Sequence, residues 1–265
     1  MCIQPPLTGS SRKTTIKGYG AFTLIEMLVV IGIIGFLAAL LLTASSRSLQ
    51  RARQIQCINN VRQLGQALHE YLTDKHRYPL FTERHTDAVM WQSKLQQYEL
   101  SPNNTGGFSG WVQQGLWKCP SANRPNDAPI NTLFLSYGYN WYGLGSLADT
   151  NPLGLGGHLI DASFSSSDGV KESEIINPSD MMAIGDGFIG SNGFIGEGGM
   201  LWRTTGVTDH LGSTKRALVR HQGRANVVFC DGHVESPTLQ TLFEDTSDTA
   251  LVRWNRDHQP HREKL

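Results

Sequence analysis

A lone carboxylate, Glu26, stands in an apolar run that otherwise extends from Leu24 to Leu42, four residues past the aromatic Phe22. A charge inside a segment of membrane length costs about 2.5–3.5 kcal/mol on insertion scales, so it asks for a partner. Near the other end, His221, Asp231 and His233 offer nitrogen and oxygen donors that a metal could use. Hairpin neighbours alternate faces, however, and an Asp-Gly pair has a simpler use. Asp231 reads as a turn former that tolerates positive φ, Gly232 as its partner, and His221 as a hydrogen-bonding residue fixing the loop before a strand. Calcium would need several converging oxygens, for which Asp186, Asp209 and Asp231 are candidates without a recognisable loop.

Gly185-Asp186-Gly187-Phe188-Ile189-Gly190 satisfies G-x-G-x-x-G, follows the apolar Met181 to Ile184, and has Asp209 further on. A dinucleotide fingerprint needs a helix to begin at those glycines, so that its NH groups hold pyrophosphate. Ser191-Asn192-Gly193-Phe194-Ile195-Gly196 cannot sustain one, and a loop or ribbon is expected there instead. No Gly-x-Ser-x-Gly elbow occurs and the nine histidines are dispersed, so spacing pairs no nucleophile with a base. No enzyme is read from the chain. Trp111, Trp117, Trp141 and Tyr142 could form a ligand-binding surface, although core or loop packing is their commoner use.

Long elements must position these groups. From Phe22 there is no proline until Pro79, and the apolar stretch is long enough for a hydrocarbon core of ~30 Å. After Arg47, Arg51 and Arg53 the apolar positions become Ile55, Ile58, Val61, Leu64, Leu68 and Tyr71 or Leu72, a one-sided stripe. This predicts a single helix from about Phe22 to Thr73, a rod on the order of 75–80 Å, with a membrane-spanning first half (22–44) and an amphipathic second half (45–73). Gly32, Gly35 and Gly65 are its weak points. Beyond Pro79, in residues 74–265, hydrophobic elements are short and connections glycine-rich. Asp87 to Leu100 is compatible with a short amphipathic helix through Val89, Trp91, Leu95 and Tyr98. Strands are expected around Leu133 to Tyr139, Met181 to Ile184 and Ala225 to Cys230, the last entering a two-residue Asp231-Gly232 hairpin towards His233-Val234-Glu235. The fold class is α+β, an antiparallel sheet packed on the rod.

The chain of 265 residues is formally neutral, which argues against a nucleic-acid surface. Residues 1–21 contain Arg12, Lys13 and Lys17, no acidic group, and several prolines and glycines, and read as a targeting segment. Those basic groups face Arg47, Arg51 and Arg53 across the span, so the positive-inside rule does not orient it. With Cys2 in the leader, Cys57, Cys119 and Cys230 remain, an odd number that cannot all pair. Cys119 with Cys230 could close a disulfide in an oxidising compartment, but free buried thiols are the expected state.

Ala21-Phe22-Thr23-Leu24-Ile25-Glu26 and Met27-Leu28-Val29-Val30-Ile31 resemble the processing site of type IV prepilins and type II secretion pseudopilins. The resemblance implies cleavage before Phe22 by a prepilin peptidase, N-methylation there, and Glu26 as the fifth mature residue. The family usually has glycine before the cut, whereas this chain has Ala21. An uncleaved signal anchor would leave the same single span. Thr43 stands where many major pilins carry a kinking proline, so a straighter rod is expected. His221, nine intervening residues and Asp231-Gly232 resemble the H-X9-DG signature of prepilin-like proteins of planctomycetes and verrucomicrobia. Asn59-Asn60, Cys119-Pro120, Ser136-Tyr137-Gly138, Arg220-His221, Asn226-Val227 and Trp254-Asn255 are similar to that group as well.

What the resemblance implies is a non-enzymatic pilin-like subunit of a secretion pseudopilus or pilus-like fibre. Its partners would be the peptidase, other pilin-like subunits, the inner-membrane assembly platform and the lipid bilayer, with an extracytoplasmic head and no resident cofactor. Glu26 would pair with the amino terminus at Phe22 of an adjacent subunit, each offsetting the other's desolvation only in register. Snorkelling to the interface is its other use. The rival reading is a membrane-anchored protein whose head binds polysaccharide or another exported ligand without polymerising.

Overall fold

Helix α1 runs Leu24–Lys75, uninterrupted by proline and opened by Thr23. The computed structural model describes residues 23–80, 82–84, 87–98, 115–122, 136–144, 152–159, 166–187 and 220–265. The leader, Ala21, Phe22, Trp111 and Asp209 lie outside the described residues, as does most of the glycine-rich stretch after Gly187. The chain divides into two units, residues 1–47 and 48–265. In the first, Leu24–Leu42 has a mean hydropathy of 2.7 and no buried residue, and by length and composition it can cross a membrane.

In the second unit, α1 becomes a packing element. Its Cys57, Val61, Leu64, Leu68 and Leu72 are buried at steps of three and four. The helix ends two residues later than expected, where His76 takes a left-handed φ of 56° and its N–H reaches Leu72 O at 2.7 Å.

The short strands that follow are β1 (Thr82–Arg84), β2 (Asp87–Met90), β3 (Tyr137–Tyr139), β4 (His158–Leu159), β5 (Ser166–Asp168), β6 (Met182–Asp186), β7 (Val227–Phe229) and β8 (Val234–Glu235). The main sheet has the order β3-β6-β7-β8, antiparallel throughout, and β1-β2 and β4-β5 are separate ribbons. One expectation needs correction: residues 87–90 pair as β2, and only Trp91–Gln96 is helical (α2). The four-residue apolar step begins at Trp91, so Trp91 and Leu95 are buried together while the preceding residues extend towards β1.

Val228 and Cys230 of the β7 segment belong to the cluster under α1, with Tyr137, Tyr139 and Ile184. Val227 and Phe229 alternate to the opposite side, joining Met182, Leu242, Phe243, Leu251 and Trp254. The sheet is therefore buried on both faces. The second face is covered by α3 (Leu239–Phe243), α4 (Asp248–Leu251) and the 3-10 turn Val252–Trp254. Thr238 caps α3, accepting from Thr241 N at 3.0 Å.

Gly65 is a contact point rather than a weak point. A Cβ there would lie 2.5 Å from Val228 Cγ2, inside the core. Helix propensity favours alanine over glycine by about 0.8–1 kcal/mol, but overpacking typically costs about 1–3 kcal/mol. Gly65→Ala should therefore lower stability by about 1 kcal/mol in urea unfolding, against the sign that propensity alone gives. An increase would show that β7 yields freely.

Candidate functional site

At the start of α1, Thr23 N and Thr23 Oγ1 donate to Glu26 Oε2 at 2.9 and 2.6 Å, and Glu26 N donates to Thr23 Oγ1 at 3.3 Å. This is a reciprocal capping box, in which Glu26 satisfies the helix start of its own chain. The signal was present in the sequence as Thr-x-x-Glu before an apolar run.

In the head, the polar residues meet at Asp186, the last residue of β6, whose side chain is fully buried. Oδ1 accepts from Arg220 Nη2 at 2.5 Å. Oδ2 accepts from Asn226 N at 2.7 Å and Asn226 Nδ2 at 3.0 Å, and His221 Nε2 lies 3.3 Å away. Arg220 also donates to Gly187 O at 2.7 Å and Ser136 O at 3.1 Å, joining the ends of β3 and β6. Ser236 Oγ donates to Asn226 Oδ1 at 2.8 Å.

His221 sits in a left-handed turn at φ 50°, followed by Gln222 and Gly223 with positive φ. That backbone turns its ring inward, where Nε2 also lies 3.3 Å from Cys119 Sγ. Burial lowers the His221 pKa, with Arg220 acting in the same direction and Asp186 opposing, so the imidazole is held neutral more readily than a free one.

Cys119 is neither the free thiol expected nor paired with Cys230: it is bonded to Cys57. Cys57 lies on the buried stripe of α1, one turn before Asn60, whose Nδ2 donates to Lys118 O at 3.0 Å. The helix thus grips residues 118–119 twice. Cys230 is a buried free thiol, its pKa pushed up to about 12 by burial, with Tyr78 opposing. The correction follows from the fold: Cys230, one residue past β7, faces α1 in the same cluster, but the sulfur of Cys119 is already claimed by the helix.

The metal candidates His221, Asp231 and His233 are not brought together. His221 is buried, whereas His233 Nδ1 meets Asp231 Oδ1 at 2.6 Å on the part-exposed hairpin. Among the described residues, the set of three close donors is Cys57, Cys119 and His221. The hairpin loop has three residues, not two: Phe229 N reaches His233 O, and Gly232 N reaches Phe229 O, both at 2.9 Å. Gly232 alone takes the positive φ, at 91°, so Asp231 needs none. For calcium, Asp186 is saturated by Arg220 and Asn226 while Asp231 is held by His233. In the glycine motif, Asp186 is the end of a strand and is turned into the core. Trp117, Trp141 and Tyr142 are buried too.

The tail is tied to the sheet by two asparagines. Asn140 Nδ2 donates to Met182 O at 2.9 Å and Trp254 O at 3.0 Å, and Asn255 Oδ1 accepts from Leu144 N at 2.9 Å. A cavity of about 470 Å³ lined by Asp180, Arg253 and His258 contains none of the Asp186 group.

A long helix, apolar in its first half and packed in its second against a four-stranded antiparallel sheet, is a pilin-like fold. Residues 16–42 match the prokaryotic N-terminal methylation motif, and residues 50–116 match a protein of unknown function, DUF1559. The chain is 38% identical over 99 residues to the type II secretion system core protein G of Aeromonas hydrophila, a stretch covering 37% of this chain and 68% of that relative. No solved structure matches. The chain belongs to the type IV prepilin-like family, and its relations are to a structural pilin-like protein rather than to an enzyme.

Proposed function

We propose that the protein is cleaved before Phe22, N-methylated there, and assembled through its amino-terminal helix into a secretion pseudopilus or pilus-like fibre. The similarity to a secretion core protein, together with the methylation motif at residues 16–42, is the observation that carries this reading. Leu24–Leu42 would hold the precursor in the inner membrane, with residues 74–265 forming the extracytoplasmic head. A prepilin peptidase would act at Ala21 and Phe22. Other pilin-like subunits and an inner-membrane platform would then draw the mature helix into the fibre.

Within the fibre, Glu26 would exchange its local Thr23 contacts for the amine at Phe22 of a neighbour. A buried pair is favourable only when geometry and hydrogen bonding are complete, so this contact would specify register more than it adds strength. The ligand-binding alternative loses three of the four aromatics on which it drew, since Trp117, Trp141 and Tyr142 are used in the core, while Trp111 lies outside the described residues.

Mass spectrometry of protein taken from native membranes tests the processing step. The expected species begins with N-methylated Phe22. Recovery of the intact leader as the sole form in cells that carry the peptidase would defeat the assignment.

A further inference from the structure

The imidazole of His221 has no evident task beside a disulfide. Its side chain is fully buried, Nδ1 makes no hydrogen bond among the described residues, and Nε2 points between Cys119 Sγ and Asp186 Oδ2, each 3.3 Å away. Its turn adopts a left-handed backbone that a non-glycine residue enters only at some energetic cost. Cys57 Sγ, Cys119 Sγ and a His221 nitrogen all lie within 4.8 Å of one another, and all three residues are buried.

We propose that before oxidation, when Cys57 and Cys119 are still thiols, these two sulfurs and His221 Nε2 bind a thiophilic divalent cation of the zinc class. The disulfide then replaces that metal clasp. Sulfur and imidazole donors at about 2.3 and 2.1 Å from a tetrahedral zinc are themselves about 3.6 Å apart, close to the present separation of Nε2 and Cys119 Sγ. The two sulfurs need only separate from bonding distance to a similar spacing. Cys57 is presented by a helix and Cys119 by the segment that Asn60 holds, so both donors are placed by structure that does not depend on the S–S bond alone.

Charge supports the same assignment. In the disulfide state, Asp186 pairs with Arg220 and the two sulfurs carry no charge. In the metal state, two thiolates balance the divalent cation and the Asp186–Arg220 pair is unchanged, so binding adds no net charge to the core. Without the cation, burial keeps the two thiols protonated, so thiolates form there only with the metal. Binding releases the two thiol protons and places the imidazole proton on Nδ1, leaving the Nε2 lone pair for the metal. The newly made chain carries thiols, so this step needs no reductant. Conversion then requires an oxidant of the disulfide-donor class: the metal dithiolate, one donor disulfide and two protons give the Cys57–Cys119 bond, two donor thiols and the free cation.

The test uses the full chain in detergent, unfolded in urea and reduced with a phosphine under anaerobic conditions, then refolded with Co²⁺ or Zn²⁺. Expected are a single equivalent of bound metal and, with cobalt, thiolate charge-transfer absorption. Both should fall to background in Cys57→Ser, Cys119→Ser and His221→Ala, and persist in Cys230→Ser. Circular dichroism of oxidised His221→Ala establishes whether that variant folds; if it does not, the two serine variants decide. Absence of thiolate-to-cobalt absorption in the refolded wild type, or its survival without Cys57, would overturn the site. Cobalt that binds without such absorption is adventitious and also counts against it.

Discussion

Asp186→Ala should lower the stability of the oxidised head by about 3–5 kcal/mol, the usual cost of removing one partner of a buried ion pair. The substitution removes the carboxylate that pairs with the buried Arg220 guanidinium beside the carbonyls of Ser136 and Gly187, and with it the acceptor of two Asn226 donors. Since domains are stable by only about 5–15 kcal/mol, a large part of the margin would go. Urea unfolding with the Cys57–Cys119 bond intact measures it. Asp186→Leu combined with Arg220→Met should recover a substantial part of the loss, because an apolar pair of similar volume needs no compensation. A penalty below about 1 kcal/mol for Asp186→Ala would mean that Arg220 does not depend on that carboxylate.

Glu26→Ala should leave membrane insertion intact and deplete the variant from fibres, by about a hundredfold if the intersubunit pair contributes near 3 kcal/mol. Insertion itself becomes easier, because the intramembrane charge is gone. Alanine also removes the carboxylate that accepts from Thr23, so the informative companion is Glu26→Gln. Glutamine serves in a capping box but carries no charge. Tagged variants expressed beside wild type, with the tagged fraction measured in sheared fibres, separate the roles. Depletion of both variants supports pairing with a neighbour's amine. Normal incorporation of Glu26→Gln would leave Glu26 only its local task at the helix start.

Much of the fold was legible because it depends on periodicity. The stripe Val61, Leu64, Leu68 and Leu72 needs only the helical repeat, and Val227, Val228 and Phe229 alternate as a strand must. The exact boundaries of β2 and α2 were not legible, because Val89 fits both templates until its pairing partner is known. The Cys57–Cys119 bond joins residues separated by 62 positions, and no local pattern encodes that proximity. Asp186 was hidden in a sequence that resembles a phosphate loop, although its carboxylate bonds to groups 34 and 40 residues away. Thr23 could have been read: its three-residue spacing to Glu26 is a local signal, overshadowed by the cost of the charge itself.

The covalent link between Cys57 and Cys119 also determines how a tensile load would travel. Pulling on the helix from its amino-terminal end delivers force to the head at Cys57, before the long packed stripe that follows. Closing a loop of this length removes about 4 kcal/mol of chain entropy from the unfolded state, and the S–S bond cannot be peeled open as side-chain packing can. Asn60 reinforces the same level one turn later. A load that enters through the helix and leaves beyond Cys119 thereby bypasses residues 58 to 118, which carry none of it while the bond holds.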